Sequence, residues 1–76
     1  MIYLIYRQYG DEEEFLNEAS NCREATQIAR GASSDEKGVP VEIAYEDGEH
    51  KEFFLDGKRI GDLALRGALL YHVEHK

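Results

Sequence analysis

The chain has 76 residues, a length that predicts one small domain, residues 1–76, with a thin hydrophobic core. It carries 9 Lys and Arg against 16 Asp and Glu, and a net charge of −7 disfavours direct binding to a phosphate backbone. One cysteine excludes an internal disulfide, and the apolar run at the N-terminus is too short for a leader or a membrane span. We therefore expect a cytoplasmic protein that does not enter a membrane.

Residues 2–9, I-Y-L-I-Y-R-Q-Y, are rich in aromatic and β-branched residues and predict a first strand. Apolar groups fall on both of its faces, which indicates a strand that is covered twice or keeps one face for a partner. Gly10 and Asp11 predict a turn, and residues 13–19 predict a second strand, with an acidic helix start at Asp11 as the alternative. The separate helix start at Asn21 favours the strand.

A helix is predicted within residues 19–38. Asn21, with Glu24 three residues later, has the form of a capping box, and Ser20 is the alternative cap. A narrow stripe, mostly of alanine, predicts a helix that lies close on a sheet: Ala25, Ile28, Ala29 and Ala32. The candidates for its end are two glycines, Gly31 and Gly38.

The clearest strand follows the helix, with apolar residues alternating with polar ones at Val39, Val41, Ile43 and Tyr45. Residues 46–48, E-D-G, predict a hairpin turn that leads into a further strand.

The length of the loop decides which residues of the two strands face each other, and two registers are possible for this hairpin. A two-residue loop at Asp47-Gly48 places Phe54 opposite Val41, but it also brings Glu52 onto the apolar inner face. A three-residue loop, with the glycine in the left-handed conformation, pairs Val41 with Phe53 instead and leaves Phe54 on the outer face. We favour the three-residue loop.

Asp56-Gly57 predicts a further turn, residues 58–60 a short extension, and Asp62 the cap of a last helix. The apolar residues of that helix are spread widely around it, which indicates burial on more than one side or dimerisation: Leu63, Leu65, Leu69, Leu70, Tyr71 and Val73. Its expected use is to cover Phe54 and one face of the first strand. The predicted fold is α+β, a four-stranded antiparallel sheet in the order ββαββα, with one helix on one face and a C-terminal helix.

The acidic residues form two groups. The first is the run Asp11–Glu14, and the second comprises Glu18, Glu24, Glu46, Asp47 and Glu49. The topology places the first at the C-terminal end of the central helix, facing Lys37, Lys58 and Arg59, and the second at its N-terminal end, where negative charge is stabilised. Solvated turns are the ordinary explanation of such runs, and an anionic surface for a basic partner is the alternative. The predicted partner-binding residues are Tyr9, Asp11, Glu12, Glu13, Glu14, Glu46, Asp47 and Glu49.

Two further features suggest chemistry only weakly. His72 and His75 flank Glu74, but two histidines and a carboxylate at a chain end make a poor metal site. Cys22, in the first helical turn, is best explained as a small buried hydrophobe. We expect no metal, no cofactor, no catalytic residue and no enzymatic activity.

Three segments carry a resemblance: E-A-S-x-x-x-E-A-x-x-I-A-R over residues 18–30, V-P-V-E-I-A-Y-E-D-G over residues 39–48, and L-D-G-K-R over residues 55–59. In this order they resemble small ββαββ proteins of phages and mobile elements, including anti-CRISPR inhibitors. The resemblance implies a non-enzymatic inhibitor that docks on a nucleic-acid-handling complex, and it transfers no contact residue. The expected function is therefore binding to the basic surface of a protein partner. The alternative is a homodimeric accessory or antitoxin-like domain joined through its C-terminal helix.

Overall fold

A computed structural model describes residues 1–48 and 51–74, and the side chains of these up to residue 71. The described chain forms β1 (Tyr3–Gln8), β2 (Glu13–Ala19), α1 (Cys22–Asp35), β3 (Val41–Tyr45), β4 (Lys51–Leu55), β5 (Lys58–Ile60) and α2 (Asp62–Glu74). The strands form one antiparallel sheet in the order β2-β1-β3-β4-β5. The α+β class and the antiparallel sheet are confirmed. The count of four strands is wrong, because residues 58–60 pair with β4 and form a fifth strand.

Helix α1 begins as its sequence predicts. The Asn21 side-chain oxygen accepts a hydrogen bond from the Glu24 N–H at 2.8 Å, so Asn21 and not Ser20 is the cap. The alanine-rich stripe faces the sheet, with Ala25 and Ala29 fully buried. The helix ends at Asp35, four residues beyond Gly31.

The β3–β4 register differs from the predicted one. Val41 pairs with Phe54, and Ile43 pairs with Glu52. The turn does contain the expected left-handed glycine, since Gly48 has φ +76° and donates its N–H to the Tyr45 carbonyl at 3.0 Å. Strand β4, however, begins only at residue 51. Its residues pair with β3 in the register of the two-residue loop, which we did not favour.

This register brings one carboxylate onto the inner face and buries one phenylalanine there. The Glu52 side chain is 23% exposed, and Arg59 lies 3.1 Å from its Oε1, whereas its Oε2 is buried without a hydrogen bond to the described residues. In return Phe54 is fully buried between the sheet and α1. Burying a phenylalanine side chain stabilises a fold by about 1.5–3 kcal/mol, which favours this register although it brings Glu52 onto the inner face.

Strand β2 contains a bulge. Ile5 pairs with Asn17 but Tyr6 pairs with Phe15, so Leu16 is the additional residue on this strand. Leu16 packs against the core, whereas Phe15 stays with Tyr6 on the other face, where their rings meet edge to face at 5.6 Å. The strand prediction for residues 13–19 is confirmed.

The turn between β4 and β5 matches its sequence signal. Asp56 and Gly57 have φ +53° and +85°, and Leu55 pairs with Lys58 across them. The Gly57 N–H donates to the Ser33 hydroxyl at 2.9 Å, which fixes the turn to the last part of α1.

Helix α2 does not lie where we expected it. Helix α1 already covers the face that contains Phe54, and α2, which follows the edge strand β5, makes no extensive contact with any other described element. Leu63, Leu70 and Tyr71 are 85%, 60% and 61% exposed. Neither Phe54 nor the outer face of β1 is covered by α2, so the expected use of this helix is wrong. In the described part of the chain, no helix has both the length and the apolar character needed to cross a bilayer.

Candidate functional site

The sheet face opposite α1, which we call the open face, is partly apolar. Residues paired across antiparallel strands share a face, so Tyr6, Phe15 and Phe53 lie on this side, away from the core residue Ile5. Ile2 and Phe15 are 48% and 54% exposed. One face of β1 is therefore left uncovered, as one of the two alternatives for this strand predicted.

A groove of about 570 Å³ crosses the open face. Its apolar lining comes from Ile2, Leu4, Tyr6 and Ala44, and its carboxylates come from Glu13, Glu18, Glu42 and Glu46. Lys51 is the ammonium group among the lining residues. The groove thus joins both predicted acidic groups, because Glu13 belongs to the first of them and Glu18 and Glu46 belong to the second.

Glu42 lies on the central strand β3 and is only 6% exposed. The Gln8 side-chain amide donates to its Oε1 at 3.2 Å and to the Glu13 carboxylate at 2.9 Å, so Gln8 bridges two acids of the groove. Lys51 Nζ lies 3.8 Å from the same Oε1. Burial raises the pKa of Glu42, Lys51 lowers this pKa, and Glu13 raises it. Sequence reasoning did not select Glu42 as a site residue, although a glutamate at an alternating position of the most apolar strand is a usable signal.

The first acidic run lies at the C-terminal end of α1, as predicted. The Tyr9 N–H donates to the Glu12 carbonyl at 2.9 Å and closes the turn, in which Asp11 and Glu12 are exposed. Glu13 faces the groove, but Glu14 lies on the α1 side, because it pairs with Arg7 across the strands.

Arg7 connects this run to the helix. Its guanidinium lies 3.1 Å from the Glu14 carboxylate and 3.3 Å from that of Glu36. The expected role of Arg59 beside the acidic run is wrong, since Arg59 pairs with Glu52. Tyr9 is partly exposed, and burial together with Glu36 and Glu14 raises its pKa.

The second acidic group lies near the N-terminal end of α1. Tyr3 pairs with Ala19 on one side and with Tyr45 on the other, so the β3–β4 turn lies at the end of the sheet where α1 begins. Burial, with Glu52 and Cys22 nearby, raises the pKa of Tyr45 to about 12. Glu46 accepts a hydrogen bond from the Ile2 N–H at 3.2 Å, and Asp47 is exposed in the turn. Cys22 is exposed, so its interpretation as a buried hydrophobe is wrong.

Part of the second acidic group and the C-terminal histidine cluster lie outside the described side chains. Glu49 and His75 lie outside the described residues, and the side chains of His72 and Glu74 are likewise not described. Within the described part of the chain, His, Cys, Asp and Glu side chains form no group of three that could hold a metal ion.

The groove offers apolar contact and excess negative charge together. Carboxylates around an apolar floor favour a ligand surface that is both cationic and apolar. Comparisons of the chain with protein-family models, with curated proteins and with solved structures find no match in any of the three.

Proposed function

We propose that this protein is a small binding protein that docks its open face on a basic, partly apolar surface of a nucleic-acid-handling protein. By occupying that surface it prevents nucleic acid from binding there. The observation that supports the proposal is the groove of about 570 Å³, in which carboxylates from both acidic groups surround an apolar floor.

The physical basis has two parts. The net charge of −7 draws the protein towards a positive surface and speeds encounter at low salt. Apolar contact with residues such as Leu4 and Tyr6 then adds affinity that salt does not screen. A surface that binds phosphates through Lys and Arg is the kind of surface that this groove complements. The resemblance to small anti-CRISPR inhibitors agrees with the role and stays a prediction.

The test is affinity capture from cell lysate at low and high salt, followed by mass-spectrometric identification of the captured proteins. The wild type is compared with the double variant Glu13→Lys/Glu18→Lys, which reverses two charges of the groove. The control is Asp35→Lys, an exposed charge reversal at the far end of α1. We expect the control and the wild type to capture the same nucleic-acid-binding protein in a salt-sensitive manner, and added nucleic acid to displace them.

Capture that is equal in the double variant and in the control would contradict docking through the groove. Capture that nucleic acid does not reduce would contradict the occlusion of a nucleic-acid site.

The second candidate is a homodimer joined through α2. Its supporting observation is the exposure of Leu63 and Leu70 on that helix. Leu70→Glu, or Leu69→Glu at the preceding residue, should convert such a dimer into folded monomers, as measured by light scattering. A wild type that is monomeric at all concentrations would exclude this candidate.

A further inference from the structure

We infer that Glu42 is the recognition carboxylate of the groove and binds a Lys or Arg side chain of the partner, in a segment with apolar residues beside the cation. This inference rests on the proposed function and names the chemistry of the partner segment.

The position of Glu42 supports the assignment. The residue lies on the central strand β3, and its side chain is 8% exposed, within a groove whose other carboxylates stand on the edge strand β2 and in the turn after β3. A carboxylate removed from water needs compensating donors, and those that it has are modest. Gln8 supplies a neutral amide at 3.2 Å. The Lys51 ammonium lies at 3.8 Å, well beyond the roughly 2.7–2.9 Å of a direct charge-assisted hydrogen bond.

Lys51 marks the place that a partner's cation would take. Its side chain is 48% exposed, so it can move into solvent when another cation arrives. A guanidinium that approaches Glu42 can donate two parallel hydrogen bonds, which a single ammonium at 3.8 Å does not provide. The aliphatic stem of the incoming residue then lies against Leu4 and Ala44 of the groove lining.

Charge complementarity selects the occupant. The groove is lined by carboxylates of Glu13, Glu18, Glu42 and Glu46 against the ammonium of Lys51. A second copy of the chain, with a net charge of −7, is repelled by this surface. Its exposed α2 is largely apolar, and the charge of Arg66 on that helix is offset by that of Asp62. A cationic, partly apolar segment of a different protein fits both properties of the groove.

The probe is a synthetic peptide of alternating leucine and arginine, blocked at both ends, titrated into the ¹⁵N-labelled full chain. Two matched peptides separate the contributions, one with serine in place of leucine and one with glutamate in place of arginine. We expect the first peptide to shift the amide signals of β1 and β3. Both matched peptides should bind at least about tenfold more weakly, as expected when a charged hydrogen bond or the apolar contact is lost.

Glu42→Gln keeps the size and removes the charge, and it should weaken binding of the leucine-arginine peptide by about tenfold or more. Glu52→Gln is the matched control, the same change on the α1 side of the β3–β4 pair, and it should leave binding within about twofold of the wild type. Ala44→Arg supplies a cation within the groove itself and should also remove binding, while every carboxylate is retained.

Equal affinity in Glu42→Gln and Glu52→Gln overturns the assignment, as do shifts confined to the turn at residues 9–12. Concentration-dependent shifts in β1 and β3 together with α2, without peptide, overturn it in favour of a second copy as the occupant. The proposed function is judged separately. If Glu13→Lys/Glu18→Lys loses the captured partner and Glu42→Gln keeps it, docking through the groove is supported and the role assigned to Glu42 is wrong. If both variants keep it, both proposals fail.

Discussion

Phe54 lies directly opposite Val41 in the β3–β4 pair, and both side chains are completely buried. The guanidinium groups of Arg30 and Arg59 lie 5.8 and 5.6 Å from the centre of the Phe54 ring, so cations from α1 and β5 approach the same ring. Phe54 therefore contacts side chains of both the helix and the distal part of the sheet.

Phe54→Ala should destabilise the domain by about 3–5 kcal/mol, because it removes the largest fully buried side chain and leaves a cavity. Urea unfolding followed by circular dichroism measures the change. The control is Phe53→Ala, one residue away on the open face, which should cost clearly less. The opposite ranking of the two variants would contradict the observed register.

Ser33→Ala should cost about 1–3 kcal/mol, because the buried Ser33 hydroxyl accepts the Gly57 N–H at 2.9 Å and the substitution leaves that N–H without its partner. Ser34→Ala is the control, since Ser34 is exposed, and it should change the stability by less than about 0.5 kcal/mol. Thermal melts of the two variants give the comparison. Similar losses in both would argue against the anchoring of the β4–β5 turn by Ser33.

Glu42→Gln should raise the stability at neutral pH. Burial raises the pKa of Glu42, so the folded state holds the carboxyl proton more tightly than the unfolded state. The stability from this group is fully present below the unfolded pKa and is lost as the pH rises through the folded pKa. The advantage of the glutamine variant should therefore grow between about pH 4 and neutrality, as measured by melting temperatures.

Lys51→Met provides a check on the same group. Lys51 lowers the pKa of Glu42, so its removal should raise this pKa further and steepen the loss of stability with rising pH. A pH profile of Glu42→Gln parallel to that of the wild type would show that Glu42 titrates alike in both states.

A chain shortened after Gly61 should keep the cooperative fold of residues 1–60, because α2 makes no extensive contact with the other described elements. Overlay of the ¹⁵N–¹H spectra of the short and full chains tests this. Changes confined to β5 and its neighbours are expected. Loss of dispersion throughout the spectrum would show that α2 contributes to the core.

Asn21→Ala should destabilise the domain by about 1 kcal/mol, since it removes the acceptor of the Glu24 N–H at the start of α1. Ser20→Ala, the neighbouring candidate cap, should be nearly neutral. Helical content and melting temperature report both effects. Equal losses would mean that the cap is shared.

Local signals predicted local structure well. The cap at Asn21, the alanine stripe of α1 and the turn at Asp56-Gly57 depend on interactions within a few residues, and all three are confirmed. The β3–β4 register depends on which side of β4 the helix covers and on the Arg59 contact with Glu52. Neither can be deduced from the sequences of β3 and β4 alone.

The candidate site was predicted only in part. The ends of α1 at which the two acidic groups lie follow from the topology, and the described members of both groups lie at the predicted ends. The groove was not predicted, because it forms only when α2 stays away from the open face. Glu42 was missed because its neighbours Gln8 and Lys51 come from separate strands, which only the folded sheet brings beside it.

The bulge in β2 has a consequence for how copies of this protein behave at high concentration. Strand β2 is an edge of the sheet, and an edge strand offers backbone groups with which another molecule can pair and begin a fibril. The additional residue Leu16 disturbs the regular spacing of that edge, and the carboxylates of Glu13, Glu14 and Glu18 would face like charges on an approaching copy. The bulge and the charges of β2 therefore both oppose strand pairing between copies at this edge of the sheet.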